Sequence, residues 1–468
     1  MAFDEDFHLG IIRIYAHHIS PYWGTQPPGS EAFGAITRDP AFLYHWIMSF
    51  PYRIVNYFTD DQTLLVLVLR FLNILLFVSC LPLFRRLLEK TGAPRAIIHF
   101  CLLFFVLIPV VPLLAAQINY DNMMIPLTAL SLLLTVQFTE RFKPGRPIDI
   151  RLLLTLIITC LVTSLVKYSF LPIFVVIVIY IMVRALQCLG GFGSLWLAFK
   201  KGFVRISRRS FVALGLTFIV IMTLFIQRYG VNLIKYHKPV PDCSQVLTIK
   251  QCSNYGPWIR DYTNKQIKDN DNIATSAIDY IGDWFYGMWF RSYFAVDGPA
   301  TQFQTRGPLL IPSISVIIFS VGGVIALIFT VRRIFKAYNA PVLWFFISAT
   351  LIYLAALFID DYVAYVHTAV PVAINGRYLF PVLPIVLLIF ALAYNELLRK
   401  RHTLKVVLAC VIIIATIWGG GALTYILRSN DAWYWNAQPV YDINHAVQHV
   451  VGPITPGYTS PTEFLRSQ

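Results

Sequence analysis

Charged residues are scarce in this chain of 468 residues: they make up 13% of it, against roughly 25% in a soluble domain. The sequence also lacks the CxxC, HExxH, GxGxxG, phosphate-loop and GxSxG patterns. No nucleic-acid-binding motif is present. These absences exclude a soluble enzyme with a basic patch and argue against a nucleic-acid partner. The net charge of +14 then reflects the Lys and Arg that membrane proteins carry in their cytoplasmic loops.

Hydrophobic residues are abundant instead, at 57% of the chain, and the mean hydropathy is +0.63. A helix needs about 20 apolar residues to cross a bilayer, and the apolar runs predict about ten such spans. The predicted fold class is therefore all-α, a polytopic transmembrane helical bundle. The predicted spans are 64–84, 96–116, 123–138, 152–166, 171–185, 211–226, 309–331, 342–359, 378–394 and 406–426.

The segments between these runs give the predicted domain organisation. Residues 1–61 form an outer-face loop that contains an acidic motif and an aromatic-rich interfacial helix at 41–54. Transmembrane helices one to six occupy 62–228, and helices seven to ten occupy 309–427. A large extracytoplasmic loop at 229–308 and a short extracytoplasmic tail at 428–468 complete the chain.

Basic residues occur in every second connecting loop, which sets the predicted orientation. The basic loops are 85–95, 141–151, 200–209, 332–336 and 399–405, whereas 119–122 and 360–376 contain no Lys or Arg. The positive-inside rule places the basic loops in the cytoplasm and the other set outside. This orientation puts the segment before the first span outside, with nothing to carry it across. Either another route carries this segment across, or a further helix precedes Met1, and we expect the helix.

Seven cysteines are present, and two of them differ from the rest. Cys243 and Cys252 lie in a polar stretch of the large outer loop, where a disulfide is compatible with an oxidising compartment. The alternative is a pair of free thiols. The other five lie in or beside apolar runs and are typical of small core residues: Cys80, Cys101, Cys160, Cys188 and Cys410.

Unusual polar residues gather on the predicted outer face. Charged groups at helix ends near the hydrocarbon are costly and indicate a functional site. The residues concerned are Asp4, Glu5, His8, Asn119, Tyr120, Asp121, Lys167, Tyr168, Asp360, Asp361, His367, Asn375, Gly376, Arg377 and Tyr378.

Each of these residues also has an ordinary interpretation. Lys167 and Arg377 could extend their charges to lipid headgroups. Asp121 could cap the following helix. Asp360 and Asp361 could belong to a solvated loop, and His8 and His45 could be solvated or interfacial histidines.

Carboxylates and cations together on one membrane face suit sugar transfer. A carboxylate can deprotonate an acceptor hydroxyl, and Lys or Arg can neutralise a leaving phosphate. An activated sugar on the outer face must be carried by a lipid, because nucleotide sugars are confined to the cytoplasm.

The order of four motifs resembles the DUF2142 family of predicted bacterial membrane proteins, which is related to the GT-C glycosyltransferases. The motifs are DE-x-x-H at Asp4, Glu5 and His8, NYD at Asn119, Tyr120 and Asp121, Lys-Tyr at Lys167 and Tyr168, and GRY-x-x-P at Gly376, Arg377, Tyr378 and Pro381. The resemblance implies a GT-C-like fold and polyprenyl-phosphate-sugar donors. GT-C enzymes have a transmembrane helix before the acidic motif, which agrees with the expected upstream helix.

The same resemblance implies roles for individual residues. Asp4 matches the general base or a metal-binding acid, and Glu5 and His8 match its catalytic neighbours. Lys167 and Arg377 match the residues that bind the donor phosphate. Supporting roles fall to Asn119, Tyr120, Asp121 and Tyr378. Some GT-C enzymes use a divalent cation, so Mg²⁺ or Mn²⁺ is a possible cofactor here.

The sequence thus predicts a glycosyltransferase in a bacterial plasma membrane, active on the extracytoplasmic face. It would move a sugar from a lipid-linked donor to a glycan, lipid or protein acceptor of the cell envelope, among membrane lipids and without nucleic acid. Two other functions stay open: a transporter or flippase of lipid-linked sugars, and a non-catalytic scaffold of an envelope-assembly complex.

Overall fold

The computed structural model describes residues 4–108, 110–290, 310–372, 374–419, 426–427 and 438–455. Every regular element within these ranges is helical, and no strand occurs in them. The end of the predicted large loop (291–308) and most of the predicted outer tail lie outside the described residues.

The described α-helices range from 4 to 29 residues in length. In chain order they are α1 (Glu5–Ala16), α2 (Leu43–Phe58), α3 (Gln62–Val78), α4 (Cys80–Glu89), α5 (Arg95–Leu107), α6 (Val110–Ala115), α7 (Asp121–Thr139), α8 (Ile150–Val166), α9 (Leu171–Leu189), α10 (Phe192–Arg205), α11 (Arg208–Phe225), α12 (Val231–Tyr236), α13 (Cys243–Val246), α14 (Ile249–Cys252), α15 (Gly256–Asp271), α16 (Ala277–Phe285), α17 (Leu310–Ala337), α18 (Ala340–Thr368), α19 (Leu383–Leu397), α20 (His402–Gly419) and α21 (Gln438–Val451).

The helix pattern is that of a multi-pass membrane protein. Six stretches of the described chain are long and apolar enough to cross a bilayer: Gln62–Glu89, Asp121–Thr139, Tyr168–Leu189, Arg208–Tyr236, Val316–Ala337 and Ala340–Thr368. Four shorter apolar helices, at α5, α8, α19 and α20, coincide with four more of the predicted spans. The number of crossings, about ten, stays a prediction.

Polar residues at the helix starts explain where several spans begin. The Asp61 side chain accepts hydrogen bonds from the first amides of α3, and the Asp149 side chain does the same for α8. Ser207 caps α11 in the same way. Such caps satisfy backbone N–H groups that have no partner within the helix.

Helix α7 is the centre of the bundle. It packs against α3, α4, α8 and α9, and most of its residues are buried. Its 18 residue steps from Asp121 to Thr139 span about 27 Å at 1.5 Å per residue, close to the thickness of a hydrocarbon core. Its two ends therefore mark two opposite ends of the bundle.

Two segments predicted as loops are largely helical. The acidic motif lies at the start of α1, which packs against α2, the predicted interfacial helix. The large loop contains α12 to α16, and the helix that begins at α11 continues to Tyr236 through a wider π-helical turn at Ile226–Gly230. Cys243 and Cys252 in this region are joined by a disulfide.

Candidate functional site

Four charged side chains from distant parts of the sequence meet at the end of the bundle where α7 begins. Lys167 Nζ lies 2.6 Å from Asp121 Oδ1, and Arg377 Nε lies 3.7 Å from Asp121 Oδ2. The Arg377 guanidinium also donates to the Asp4 carboxylate. We call Asp4, Asp121, Lys167 and Arg377 the ionic cluster.

Helix ends hold each member of the ionic cluster. Asp121 is the first residue of α7, and Asp4 directly precedes α1. Lys167 is extended between the end of α8 and a short 3₁₀ turn. Arg377 lies in a second 3₁₀ turn ahead of α19, and the Asn375 side chain caps this turn by accepting the Arg377 N–H. The connections between apolar helices thus bring all four charges to one end of the bundle.

Burial divides the ionic cluster into a dry part and an exposed edge. The side chains of Asp121 and Arg377 are 3% exposed and that of Lys167 is 5% exposed, whereas that of Asp4 is 56% exposed. Two carboxylates balance two cations, which is the condition for burying such charges at a tolerable cost. Asp4 is the member that an incoming molecule can reach.

Two aromatic rings enclose the Lys167 ammonium. Its Nζ lies 4.5 Å from the centre of the Tyr120 ring and 4.3 Å from that of the Tyr378 ring. Both are cation–π distances. Burial lowers the pKa of Lys167, while the Asp121 carboxylate acts in the opposite direction. The ordinary interpretation of Lys167, a side chain extended to lipid headgroups, is therefore wrong.

Glu5 does not belong to the ionic cluster, although it follows Asp4 in sequence. Its carboxylate is fully buried and accepts two hydrogen bonds from Arg70, at 2.8 and 2.6 Å. The backbone N–H of Ile118 donates to the same carboxylate at 3.1 Å. These contacts tie α1 to α3 and to the segment before α7, so we correct the expected catalytic role of Glu5 to a structural one.

His8 is buried behind the ionic cluster and pairs with His45. The two ring nitrogens lie 2.9 Å apart, and the His8 ring meets the Tyr120 ring edge-on at 4.5 Å between centres. Burial lowers the pKa of His8 well below its usual range, and His45, Arg377 and Lys167 lower it further because each disfavours a positive charge on His8. His8 is therefore neutral near pH 7 and positions Tyr120. Burial of both histidines excludes solvation, one of their two ordinary interpretations.

A buried asparagine organises the backbone just before α7, and sequence reasoning missed it. Asn73 Oδ1 accepts hydrogen bonds from Tyr44 Oη at 2.9 Å and from Asn122 Nδ2 at 3.2 Å. Asn119 Oδ1 accepts the N–H of Asp121 at 2.9 Å. Asn119, rather than Asp121, thus supports the start of α7, and the capping role considered for Asp121 is wrong. The signal in the sequence that could have identified Asn73 is its polarity within an apolar run.

Arg228 is the second residue that sequence reasoning missed. It is fully buried, donates to the backbone carbonyls of Pro21 (2.9 Å) and Thr37, and lies 4.6 Å from the centre of the Phe42 ring. These bonds fix the strip between α1 and α2 against the bundle. Arg228 carries a charge two residues beyond the end of the predicted sixth span, and this is the signal that could have identified it.

Asp360 and Asp361 lie on α18 rather than in a loop, because that helix continues to Thr368. The Asp361 carboxylate accepts a hydrogen bond from Trp284 Nε1 at 3.0 Å. This contact ties α16 to α18 and does not involve the ionic cluster.

The ionic cluster does not fit a divalent cation as it is arranged. Each of its carboxylates is already paired with Lys167 or Arg377. Within the described residues no group of three or more His, Cys, Asp or Glu side chains could hold a metal ion. In this arrangement the two carboxylates are not available as ligands for Mg²⁺ or Mn²⁺.

The arrangement is chemically suited to an anion next to an exposed base. Lys167 and Arg377 present buried positive charge, and Asp4 presents a carboxylate at the rim. No family model, no curated protein and no solved structure matches this chain, so the resemblance of its motifs to DUF2142 and GT-C proteins stays an expectation.

Proposed function

We propose that this protein is a GT-C-like glycosyltransferase of about ten spans that takes its sugar from a polyprenyl-phosphate carrier. The single observation that supports this most is the placement of two buried cations, Lys167 and Arg377, beside the exposed carboxylate of Asp4. Sugar transfer from a lipid phosphate needs both features: positive charge for the departing phosphate and a base for the acceptor.

In the proposed reaction, the Asp4 carboxylate takes the proton of an acceptor hydroxyl. The acceptor oxygen then forms a bond to the anomeric carbon of the donor, and the bond from that carbon to the phosphate oxygen breaks. The electron pair leaves with the phosphate, whose charge Arg377 and Lys167 stabilise. Attack on the face opposite the phosphate inverts the anomeric centre.

Asp4 and Asp121 have different parts in this scheme. Asp4 is exposed, so a donor phosphate can displace it from Arg377 and leave it facing the acceptor. Asp121 is buried and stays bonded to Lys167, which keeps the ammonium between Tyr120 and Tyr378. Asp121 is therefore a positioning residue.

A membrane-bound donor fits the position of the ionic cluster. All four charges lie at helix ends, and basic residues mark the other end of α7. We place the ionic cluster on the extracytoplasmic face of a bacterial plasma membrane, with a cell-envelope glycan, lipid or protein as acceptor. The carrier chain would then lie in the bilayer beside the apolar helices.

Transport of the lipid-linked sugar is the less well supported alternative. Transporters place ionisable groups near the bilayer midplane. Arg70 lies inside an apolar helix, but its charge is paired with Glu5. A scaffold role predicts that substitutions of Asp4 and Arg377 are silent, whereas loss of the large loop is not.

The test is sugar transfer by purified protein in proteoliposomes. Polyprenyl-phosphate monosaccharides would be supplied one sugar at a time with an envelope extract as acceptor, and release of free polyprenyl phosphate would be measured. We expect Asp4→Asn to lower the rate at least about 100-fold, the usual contribution of a general base.

Asp6→Asn is the matched control, because Asp6 is an exposed carboxylate on the same helical turn. It should keep the wild-type rate. Wild-type turnover in the Asp4 variant would exclude Asp4 as the base. Lipid movement across the membrane without release of polyprenyl phosphate would favour the transporter.

A further inference from the structure

A second polar site lies at the opposite end of the bundle. The segment from Glu140 to Arg151 and the segment from Gly202 to Ser210 enclose a cleft of about 880 Å³. Helix α7 runs from the ionic cluster to this cleft, so the two sites are about 27 Å apart. The cleft is therefore separate from the proposed active site.

Positive charge dominates the lining of this cleft. Its two carboxylates are already paired, Glu140 with Lys90 at 2.7 Å and Asp149 with Arg141. In the part of the chain that the structure describes, no carboxylate lies within ion-pair distance of the other four basic side chains. Those four are Lys143, Arg146, Arg151 and Arg205.

Close backbone packing gives the cleft a fixed shape. The N–H of Ile148 donates to the carbonyl of Ala198 at 3.0 Å, which joins the connection between α7 and α8 to helix α10. A Cβ atom at Gly202 would lie 2.2 Å from the Ile148 carbonyl oxygen, so only glycine allows this approach. Ser207, which caps α11, and Ser210 line the cleft, so the positive amide end of that helix lies beside it.

An apolar slot of about 510 Å³ adjoins the cleft at Ile148, which lines both. Phe192, Leu195 and Phe199 of α10 line the slot, and Gly202 and Arg205 of the same helix line the cleft. Successive turns of α10 thus lead from an apolar surface to a basic one. This is the order in which a phospholipid presents its acyl chain and its headgroup.

We propose that the cleft and slot together bind a phospholipid with an anionic headgroup. The headgroup phosphate would lie among Arg146, Arg205 and their basic neighbours, and one acyl chain would lie against Phe199. Free phosphate would use the cleft alone, so the slot favours a lipid. The uncompensated charges favour an anionic lipid over a zwitterionic one.

The test is lipid binding to the full chain in a neutral detergent, measured by native mass spectrometry with phosphatidylglycerol and phosphatidylcholine. Wild-type protein should bind phosphatidylglycerol preferentially. The variant Arg146→Gln/Arg205→Gln should bind it about 30-fold more weakly, as expected from the loss of two basic side chains near a membrane surface.

The control variant Arg332→Gln/Arg333→Gln removes the same charge from exposed positions outside the cleft and should bind as wild type. A second pair, Lys143→Gln/Arg151→Gln, should repeat the loss. Equal binding of both lipids by wild type, or an equal loss in the control, would overturn the proposal. Displacement of the lipid by an equal concentration of inorganic phosphate would overturn its assignment to a lipid.

Discussion

Neighbouring residues in the sequence have opposite roles at the site. Asp4 is exposed beside Arg377, whereas Glu5 is buried against Arg70. Successive residues near the start of a helix point about 100° apart, so adjacency in a motif does not place two side chains in one site. The sequence could predict Asp121, Lys167 and Arg377, because charges beside apolar runs are costly. It indicated Asp4 through the polar cluster and the motif that begin the chain.

Residues whose partners are distant in sequence were harder to predict. Asn73 and Arg228 each bond to atoms that only the folded chain brings near them. Their polarity within or beside an apolar run is visible in the sequence, but the identity of their partners is not. The expected function of such a residue therefore depends on the tertiary structure.

The buried histidine pair predicts a loss of stability in acid. Burial lowers the pKa of His45 to about 3 and that of His8 well below 6.5. The unfolded chain therefore binds more protons than the folded chain below pH 6.5, so stability is complete above that pH and falls as the pH falls. At pH 5 we expect a loss of roughly 2 kcal/mol from His45.

Thermal unfolding in detergent between pH 7 and pH 5 measures this effect. His8→Gln/His45→Gln should flatten the decline, and His17→Gln, at an exposed position, should leave it unchanged. An identical decline in wild type and in the double variant would show that other groups cause it.

At the scale of elements, apolar length predicted the helices of the bundle well and the outer segments poorly. The predicted fifth span is helical as α9, and the central α7 begins where NYD ends. The region 231–290 was predicted as a loop because it lacks long apolar runs. It is helical because caps such as Thr248 and Ser276 start short helices there.

Small residues allow α17 and α19 to pack closely. A Cβ atom at Gly323 would lie 2.7 Å from Cγ of Phe390 and 2.9 Å from its Cβ. Gly323→Ala should therefore destabilise the protein by about 1–3 kcal/mol through overpacking. Gly215→Ala is the control, because a Cβ there meets nothing within 4 Å. Thermal unfolding of both variants measures this effect. Equal melting temperatures would mean that α17 and α19 can move apart to accept the added methyl group without loss of stability.

At the scale of the whole molecule, the two polar sites define two faces. The ionic cluster lies where α7 begins and the basic cleft lies where it ends. Alternation of basic loops predicted this separation from the sequence. It could not predict which side chains converge, because convergence depends on how the helices pack.

The proposed membrane orientation predicts opposite labelling of cysteines introduced at exposed positions. In a background without the five free cysteines, Asp269→Cys in α15 should react with a membrane-impermeant maleimide in intact cells. Arg399→Cys, beyond the end of α19, should react only after the membrane is opened. Labelling of both from the same side would contradict the proposed orientation.

The most direct test of the central proposal is the affinity of the purified protein for polyprenyl phosphate. We expect Arg377→Gln to weaken binding by roughly 10- to 100-fold, as for loss of a charged hydrogen bond. Arg377→Lys should restore part of the affinity, and Arg399→Gln, at an exposed position on the other face, should bind as wild type. Unchanged affinity in the folded Arg377→Gln variant would contradict the assignment of the ionic cluster as a lipid-phosphate site.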